Sequence, residues 1–150
     1  MLMLQKLTMD QTLFETLFER AAKTRLNSHS PISHFKVGAA FITSTGNIYA
    51  GTNAEEAAFN HTIHAEQGAV AQMVAQEGRQ KITHLVVVGG GEDNDGTVCA
   101  PCGHCRQLLV EFADDGMEIV VAGPSGDVRL TTTLGQLLPN AFRMSALPNK

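Results

Sequence analysis

Apolar positions follow two different periods along this chain, and the places where the period changes predict its elements. After Asp10, a residue suited to a helix N-cap, Leu13, Phe14, Leu17, Phe18, Ala21 and Ala22 recur at helical spacing and predict an opening amphipathic helix. The polar segment 27–33 breaks it. Residues 36–43 and 48–51 read as two strands around the Ser44-Thr45-Gly46 turn, a hairpin. A second helix is predicted over 64–77, with Ala69, Val70, Met73 and Val74 on one face and Gly78 placed to end it. Apolar runs at 85–88, stopped by the triple glycine 89–91, and at 119–122 predict interior strands covered on both faces. Between them a third helix begins around Pro101 and carries Cys105, Leu108, Leu109, Phe112 and Ala113 on one side before Gly116. Pro124-Ser125-Gly126-Asp127 turns the chain into a last short strand, and a helical turn follows at 134–138. The order α-β-β-α-β-α-β-β-α predicts an α/β fold, a three-layer α/β/α sandwich with a mixed five-stranded sheet.

Length and composition narrow the picture. With 150 residues, 43% of them hydrophobic, the chain can bury one sizeable core but is short for two, so 1–150 reads as a single domain. A net charge of -4, with 11 Lys and Arg that form no run, argues against a nucleic acid polymer as partner. No stretch has membrane-spanning length, and residues 1–7 lack the apolar core of a signal peptide, so no membrane association is expected. All three cysteines fall within 99–105, a spacing that favours metal or reactive chemistry over a disulfide framework and predicts a reducing, cytoplasmic setting.

The chemistry-bearing residues form two short motifs at predicted helix starts, His64-Ala65-Glu66 and Pro101-Cys102-Gly103-His104-Cys105. Imidazole nitrogen and thiolate sulfur are zinc ligands, and three protein ligands leave a fourth position open, which distinguishes a catalytic from a structural site. His64, Cys102 and Cys105 are therefore the candidate ligands of a zinc ion. A helix N-terminus favours thiolate over thiol, which explains why the cysteines sit there. Residues two apart on a helix point in different directions, so Glu66 is placed as the acid/base beside the metal, able to move a proton to a ring nitrogen and then to a leaving amine. His-x-Glu followed by Pro-Cys-x-x-Cys is the zinc deaminase signature.

With these residues the chain resembles the cytidine deaminases of the short, single-domain kind over about residues 14–142. Ser33-His34-Phe35-Lys36-Val37-Gly38-Ala39-Ala40 is similar to a family segment, as are Asn53-Ala54-Glu55, Cys102-Gly103-His104-Cys105-Arg106-Gln107 and Leu137-Leu138-Pro139-Asn140-Ala141-Phe142. The resemblance implies zinc-dependent hydrolysis of cytidine and deoxycytidine to uridine, deoxyuridine and ammonia, as in pyrimidine salvage. It further implies that Asn53 and Glu55 hold the ribose hydroxyls, that Ala65 and Glu66 meet the pyrimidine edge, and that Phe35 packs on the base. Short members are homotetramers with shared active sites, and Phe142 corresponds to the aromatic residue that closes over a neighbour's base.

The chain departs from that pattern in four places. Most short members carry Cys where this chain has His64, followed by Ala-Glu-Arg; the run His64-Ala65-Glu66-Gln67 is that of the longer dimeric members. One imidazole and two thiolates on Zn²⁺ sum to zero charge, so a neutral Gln67 replaces an arginine coherently. Ile32 and Phe59 stand where tyrosines are usual, which motivates an alternative substrate, another aminated heterocycle or a modified nucleoside. An alternative of a different class is a non-catalytic binding module stabilised by zinc, in which Cys99 would close a four-ligand site. Against it, Cys99 is expected in the loop before the helix as a small packed residue. His61 and His104 are expected to be ordinary side chains and residues 92–96 a solvated acidic loop, within an 89–100 loop that is longer and more acidic than the family pattern.

Overall fold

A computed structural model describes residues 9–58, 60–91 and 96–147, so the sequence readings at residues 1–7, Phe59 and 92–95 lie outside the described residues. Ten elements follow in order: α1 (Gln11–Arg25), β1 (Lys36–Thr43), β2 (Ile48–Thr52), α2 (Ala65–Glu77), β3 (Ile82–Gly90), α3 (Gly103–Val110), β4 (Glu118–Ala122), β5 (Val128–Thr133), α4 (Leu134–Leu137) and a 3-10 turn, Met144–Ala146. The strands form one sheet in the order β2-β1-β3-β4-β5, with β3 and β4 parallel and the other pairs antiparallel. The mixed five-stranded sheet expected from the sequence is thus present.

Strand side chains alternate between two cores, because successive residues point to opposite faces. Ala39, Phe41, Leu85, Val87, Ile119 and Val121 face a cluster with Ala65, Ala69 and Met73 of α2 and Leu109 of α3. Ala40, Val86, Val88 and Val120 face the other way, onto Leu17 and Ala21 of α1. Two buried faces explain why the inner strands read as unbroken apolar runs. Full burial of one such side chain, Leu17 for example, contributes about 2 kcal/mol.

Two glycines set how closely the helices approach the sheet. A Cβ at Gly38 would lie 2.0 Å from the carbonyl oxygen of Ala21, and one at Gly51 would lie 2.3 Å from that of Ala65 and 2.4 Å from the nitrogen of Ala69. The second contact concerns function most, because the first turn of α2 carries the His64-Ala65-Glu66 motif. Only a bare backbone at Gly51 lets that turn rest against β2.

Helix ends follow local chemistry. Asp10 caps α1 by accepting the Leu13 N–H at 2.8 Å, and Gly78 ends α2 at a positive φ of 75°. Several boundaries differ from those the sequence predicts. The third helix starts at Gly103 rather than Pro101, with Cys102 as its extended N-cap at φ -69° and ψ 170°. It ends at Val110, before Phe112 and Ala113, because its last carbonyls are taken by outside donors: Val110 by Arg143, Glu111 by Arg79 and Phe112 by the Ile82 N–H. The strand expected to stop at Val88 runs on through Gly89 and Gly90, which pair with Val37 and Lys36. Gly89 is needed there, since a Cβ would lie 2.4 Å from the sulfur of Cys99.

Candidate active site

The first turns of α2 and α3 meet at one end of the sheet and bring three donor atoms together. His64 is the N-cap of α2, in extended backbone at φ -87° and ψ 156°, and its Nδ1 lies 3.2 Å from Cys102 Sγ and 3.4 Å from Cys105 Sγ. All ligand atoms of the three residues fall within 4.8 Å of one another. A tetrahedral zinc with bonds of about 2.0 Å to nitrogen and about 2.3 Å to sulfur gives N···S edges of about 3.5 Å. The donor set and its spacing therefore fit zinc. Extended backbone at both N-caps, His64 and Cys102, points the two side chains ahead of their helices and toward each other.

Glu66 is 5% exposed, and its Oε2 lies 3.5 Å from Cys105 Sγ. Burial raises its pKa above the ordinary carboxylate value, and its own backbone N–H, the Cys105 thiol and His64 offset part of that rise. The Cys105 thiol is pushed up as well, chiefly by burial and then by the neighbouring Glu66 and Cys102. Burial and mutual repulsion disfavour the ionised forms of Glu66 and Cys105, and a divalent cation beside them would favour those forms. The electrostatics agree with the donor geometry.

The candidate substrate residues differ in how far their polar groups are already engaged. Ala65, 1% exposed, lies between His64 and Glu66 at the start of α2. Asn53 is buried and almost fully engaged: its Oδ1 accepts the Val37 N–H at 2.9 Å and the Ser28 hydroxyl at 2.6 Å, and its amide donates to the Phe35 carbonyl at 2.9 Å. That leaves one amide N–H. Glu55 accepts the N–H groups of Ile32 and Ser33 and the Ser33 hydroxyl. The Ser33 hydroxyl is the main reason its carboxyl is held below the ordinary range, keeping it ionised. Phe35 follows His34, which has a positive φ of 56°, and Phe142 comes two residues after Asn140, also at 56°. Left-handed backbone at two non-glycine residues redirects the chain just before each aromatic side chain. Phe142 is 62% exposed, and its carbonyl accepts from Gln107 of α3 at 2.9 Å.

Sequence reading missed several supporting residues. Gln67, singled out only as neutral, accepts the His64 N–H on its Oε1 at 2.7 Å and reaches His104 Nε2 at 2.9 Å with its amide nitrogen. Its position three residues after a helix cap is that of a capping box, which was the available signal. Ser28 and Ser33 orient Asn53 and Glu55, and Arg106 braces the metal-side loop by donating to the carbonyls of Pro101 and Leu137. Cys99 lies outside the three-residue cluster and packs beside Gly89, its thiol pushed up to about 12, mainly by burial. His61 is exposed beside Glu56, also apart from the cluster.

One imidazole and two sulfurs converging beside a buried carboxylate, on a three-layer α/β/α frame, define a metal-assisted hydrolytic site. Residues 11–122 match the model of the cytidine and deoxycytidylate deaminase zinc-binding region, and the chain belongs to that family. Its cofactor is accordingly zinc. The chain is 38% identical to a cytidine deaminase of Sporosarcina psychrophila over 85% of its length and 90% of that protein. A probable cytidine deaminase of Dictyostelium discoideum is 36% identical over 93% of this chain and 90% of that one. Among solved structures, cytidine deaminase from Burkholderia pseudomallei superposes with a TM-score of 0.76 at 34% identity, covering 89% of this chain and all of that one. Among the described residues, no helix is long and apolar enough to cross a membrane.

Proposed function

We propose that this protein hydrolyses the 4-amino group of cytidine and deoxycytidine, giving uridine or deoxyuridine and ammonia, with 1–150 as one catalytic domain. The observation that carries the reading is the 3.5 Å approach of the buried Glu66 carboxylate to Cys105, within a donor set that fits zinc. His64, Cys102 and Cys105 hold the metal. Bound zinc supplies acidification of water, to a pKa of about 7. Glu66 accepts the proton of the incoming water, delivers it to the ring nitrogen next to the reacting carbon, and passes a second to the departing amine. Its raised pKa suits a group that must carry a proton for part of each cycle. Overall one water is consumed and one ammonia released.

Around this centre Phe35 packs on the base, and Ala65 presents backbone to the pyrimidine edge. Asn53, with one amide N–H to spare, and ionised Glu55 bind the ribose hydroxyls as donor and acceptor. The setting is pyrimidine salvage in the cytoplasm, on free nucleosides rather than a nucleic acid polymer, with no role for a membrane. Incubating purified protein with cytidine, deoxycytidine, 5-substituted analogues and cytosine, and following ultraviolet absorbance, tests the reading. Loss of the cytidine absorbance is expected. No turnover of any substrate by zinc-loaded protein would favour a binding module, and cytosine outpacing both nucleosides would favour another heterocycle.

The assembly is a homotetramer with shared active sites. Support comes from Phe142, a large aromatic side chain left 62% exposed while Gln107 and Arg143 strap its backbone segment to α3 and the residues just after it. A ring held outward in this way is a natural interface anchor. Mixing Phe142→Ala with Glu66→Gln subunits, each nearly inactive alone, should restore turnover after subunit exchange. Mixed sites then draw Glu66 from one chain and Phe142 from another. No recovery despite demonstrated exchange would mean that each pocket is built within one chain.

A further inference from the structure

We infer that Gln67 and His104 form a strap that holds the two ligand-bearing helix starts in register, which makes both of them positioning residues for the zinc site. The inference rests on the reading of His64, Cys102 and Cys105 as the ligands. Gln67 occupies the third position of α2 and His104 the second position of α3, between the two ligand cysteines. The His64 N–H can only donate, so the Gln67 oxygen must face it, at 2.7 Å. That orientation turns the amide nitrogen toward His104 Nε2 at 2.9 Å, which accepts, leaving the ring proton on Nδ1. One side chain therefore grips the backbone of the imidazole ligand and, at the same time, the residue between the two sulfur ligands.

The strap matters because α2 and α3 share few other contacts. At their far ends Arg79 donates to the Glu111 carbonyl at 2.7 Å, and at the metal end the Gln67–His104 bond joins the longer Glu66–Cys105 contact in tying the pair. The donor atoms come from a cap residue on α2 and from the cap and first turn of α3, where helices fray most readily. A bond that fixes one turn against the other keeps His64 Nδ1 at coordination distance from both sulfurs without itself touching the metal. Partners of this kind are what orient ligands in metal sites.

His104 is exposed and offers the cleaner test, since its replacement leaves the Gln67 bond to His64 N–H intact. Zinc-loaded parent, His104→Leu, His104→Gln, Gln67→Leu and the double variant His104→Leu/Gln67→Leu are mixed with a chromophoric chelator and the rate of zinc release is followed. Melting temperatures of the metal-free proteins are measured in parallel. His104→Leu should release zinc about three- to tenfold faster than the parent, the effect of one lost hydrogen bond. His104→Gln, which keeps an acceptor within reach, should return most of the way to the parental rate. The metal-free melting temperature should stay the same for parent and both His104 variants. Adding Gln67→Leu to His104→Leu should accelerate release by less than the product of the two single effects. Parental release from His104→Leu, or faster release that tracks a lowered metal-free melting temperature and is not rescued by glutamine, would overturn the strap. A parent protein that holds no stoichiometric zinc would instead contradict the ligand assignment beneath it.

Discussion

Glu66→Gln is expected to lower kcat for cytidine by about 10²- to 10⁴-fold, the contribution of a positioned general acid/base, while one zinc per chain is retained. Glutamine matches the shape of glutamate, so the packing of a side chain only 5% exposed, beneath the first turn of α2, stays intact. It cannot accept and release a proton near neutral pH. The hydrogen-bond partner of Glu66 is the sulfur of Cys105, at 3.5 Å, and an amide can still donate to a thiolate there, so the ligand set loses no support. Substrate should bind with a KM near that of the parent, because the loss falls on the transition state rather than on recognition. Zinc content by atomic absorption and steady-state rates on the same preparation check both halves. Activity within tenfold of the parent would remove Glu66 from the acid/base role, and loss of zinc would make it a structural support of the metal.

The parts of this site that were legible in sequence are those in which one residue type at one spacing has few chemical uses. His64, Glu66, Cys102 and Cys105 belong to that group, and the cluster of donor atoms in the structure brings three of them together as expected. Fold class was legible for a similar reason: the alternation of Ala39, Ala40 and Phe41, and of Leu85 to Val88, between two faces requires helices on both sides of the sheet. What the sequence concealed was which partner each polar group would choose. Asn53 and Glu55 were marked only by resemblance, and nothing local announced that Ser28, Val37 and Phe35 would take up most of the hydrogen-bonding capacity of Asn53. Those partners come from two stretches distant from Asn53 in sequence, Ser28 and the Phe35 to Val37 run, and pairing at that range has no periodic signature.

Helix boundaries were misread for a related reason. Pro101 is a fair helix starter by propensity, but the backbone at Cys102 is extended, which turns its sulfur toward His64 and delays the helix to Gly103. Arg143, Arg79 and Ile82 then capture the carbonyls of Val110, Glu111 and Phe112, and the helix ends before Phe112 although the apolar spacing continues. In both places tertiary contacts overrule a local preference worth a fraction of a kcal/mol.

Cys105→Ser should abolish stoichiometric zinc and lower the melting temperature of the protein in excess zinc by about 5–10 °C. Cys105 is fully buried in the first turn of α3, its sulfur 3.4 Å from His64 Nδ1. Serine offers a shorter, harder donor that stays protonated near neutral pH, and the site is reduced to one imidazole and the exposed Cys102. Because the ligands come from two helices, metal binding contributes to folding as well as to chemistry. Free zinc at about 100 times the dissociation constant stabilises the folded state by about 2.7 kcal/mol, and 1 kcal/mol shifts the melting temperature of a domain of this size by about 2–4 °C. The discriminating measurement adds EDTA: the parent should fall to the melting temperature of the variant, and the variant should not move. Cys99→Ser is the matched control, since that thiol is held neutral by burial and packs against Gly89 outside the donor cluster. It should retain one zinc per chain. Zinc bound by Cys105→Ser with parental stoichiometry would remove Cys105 from the ligand set, and zinc lost from Cys99→Ser would point to a closed four-ligand site built to hold structure rather than to carry out a reaction.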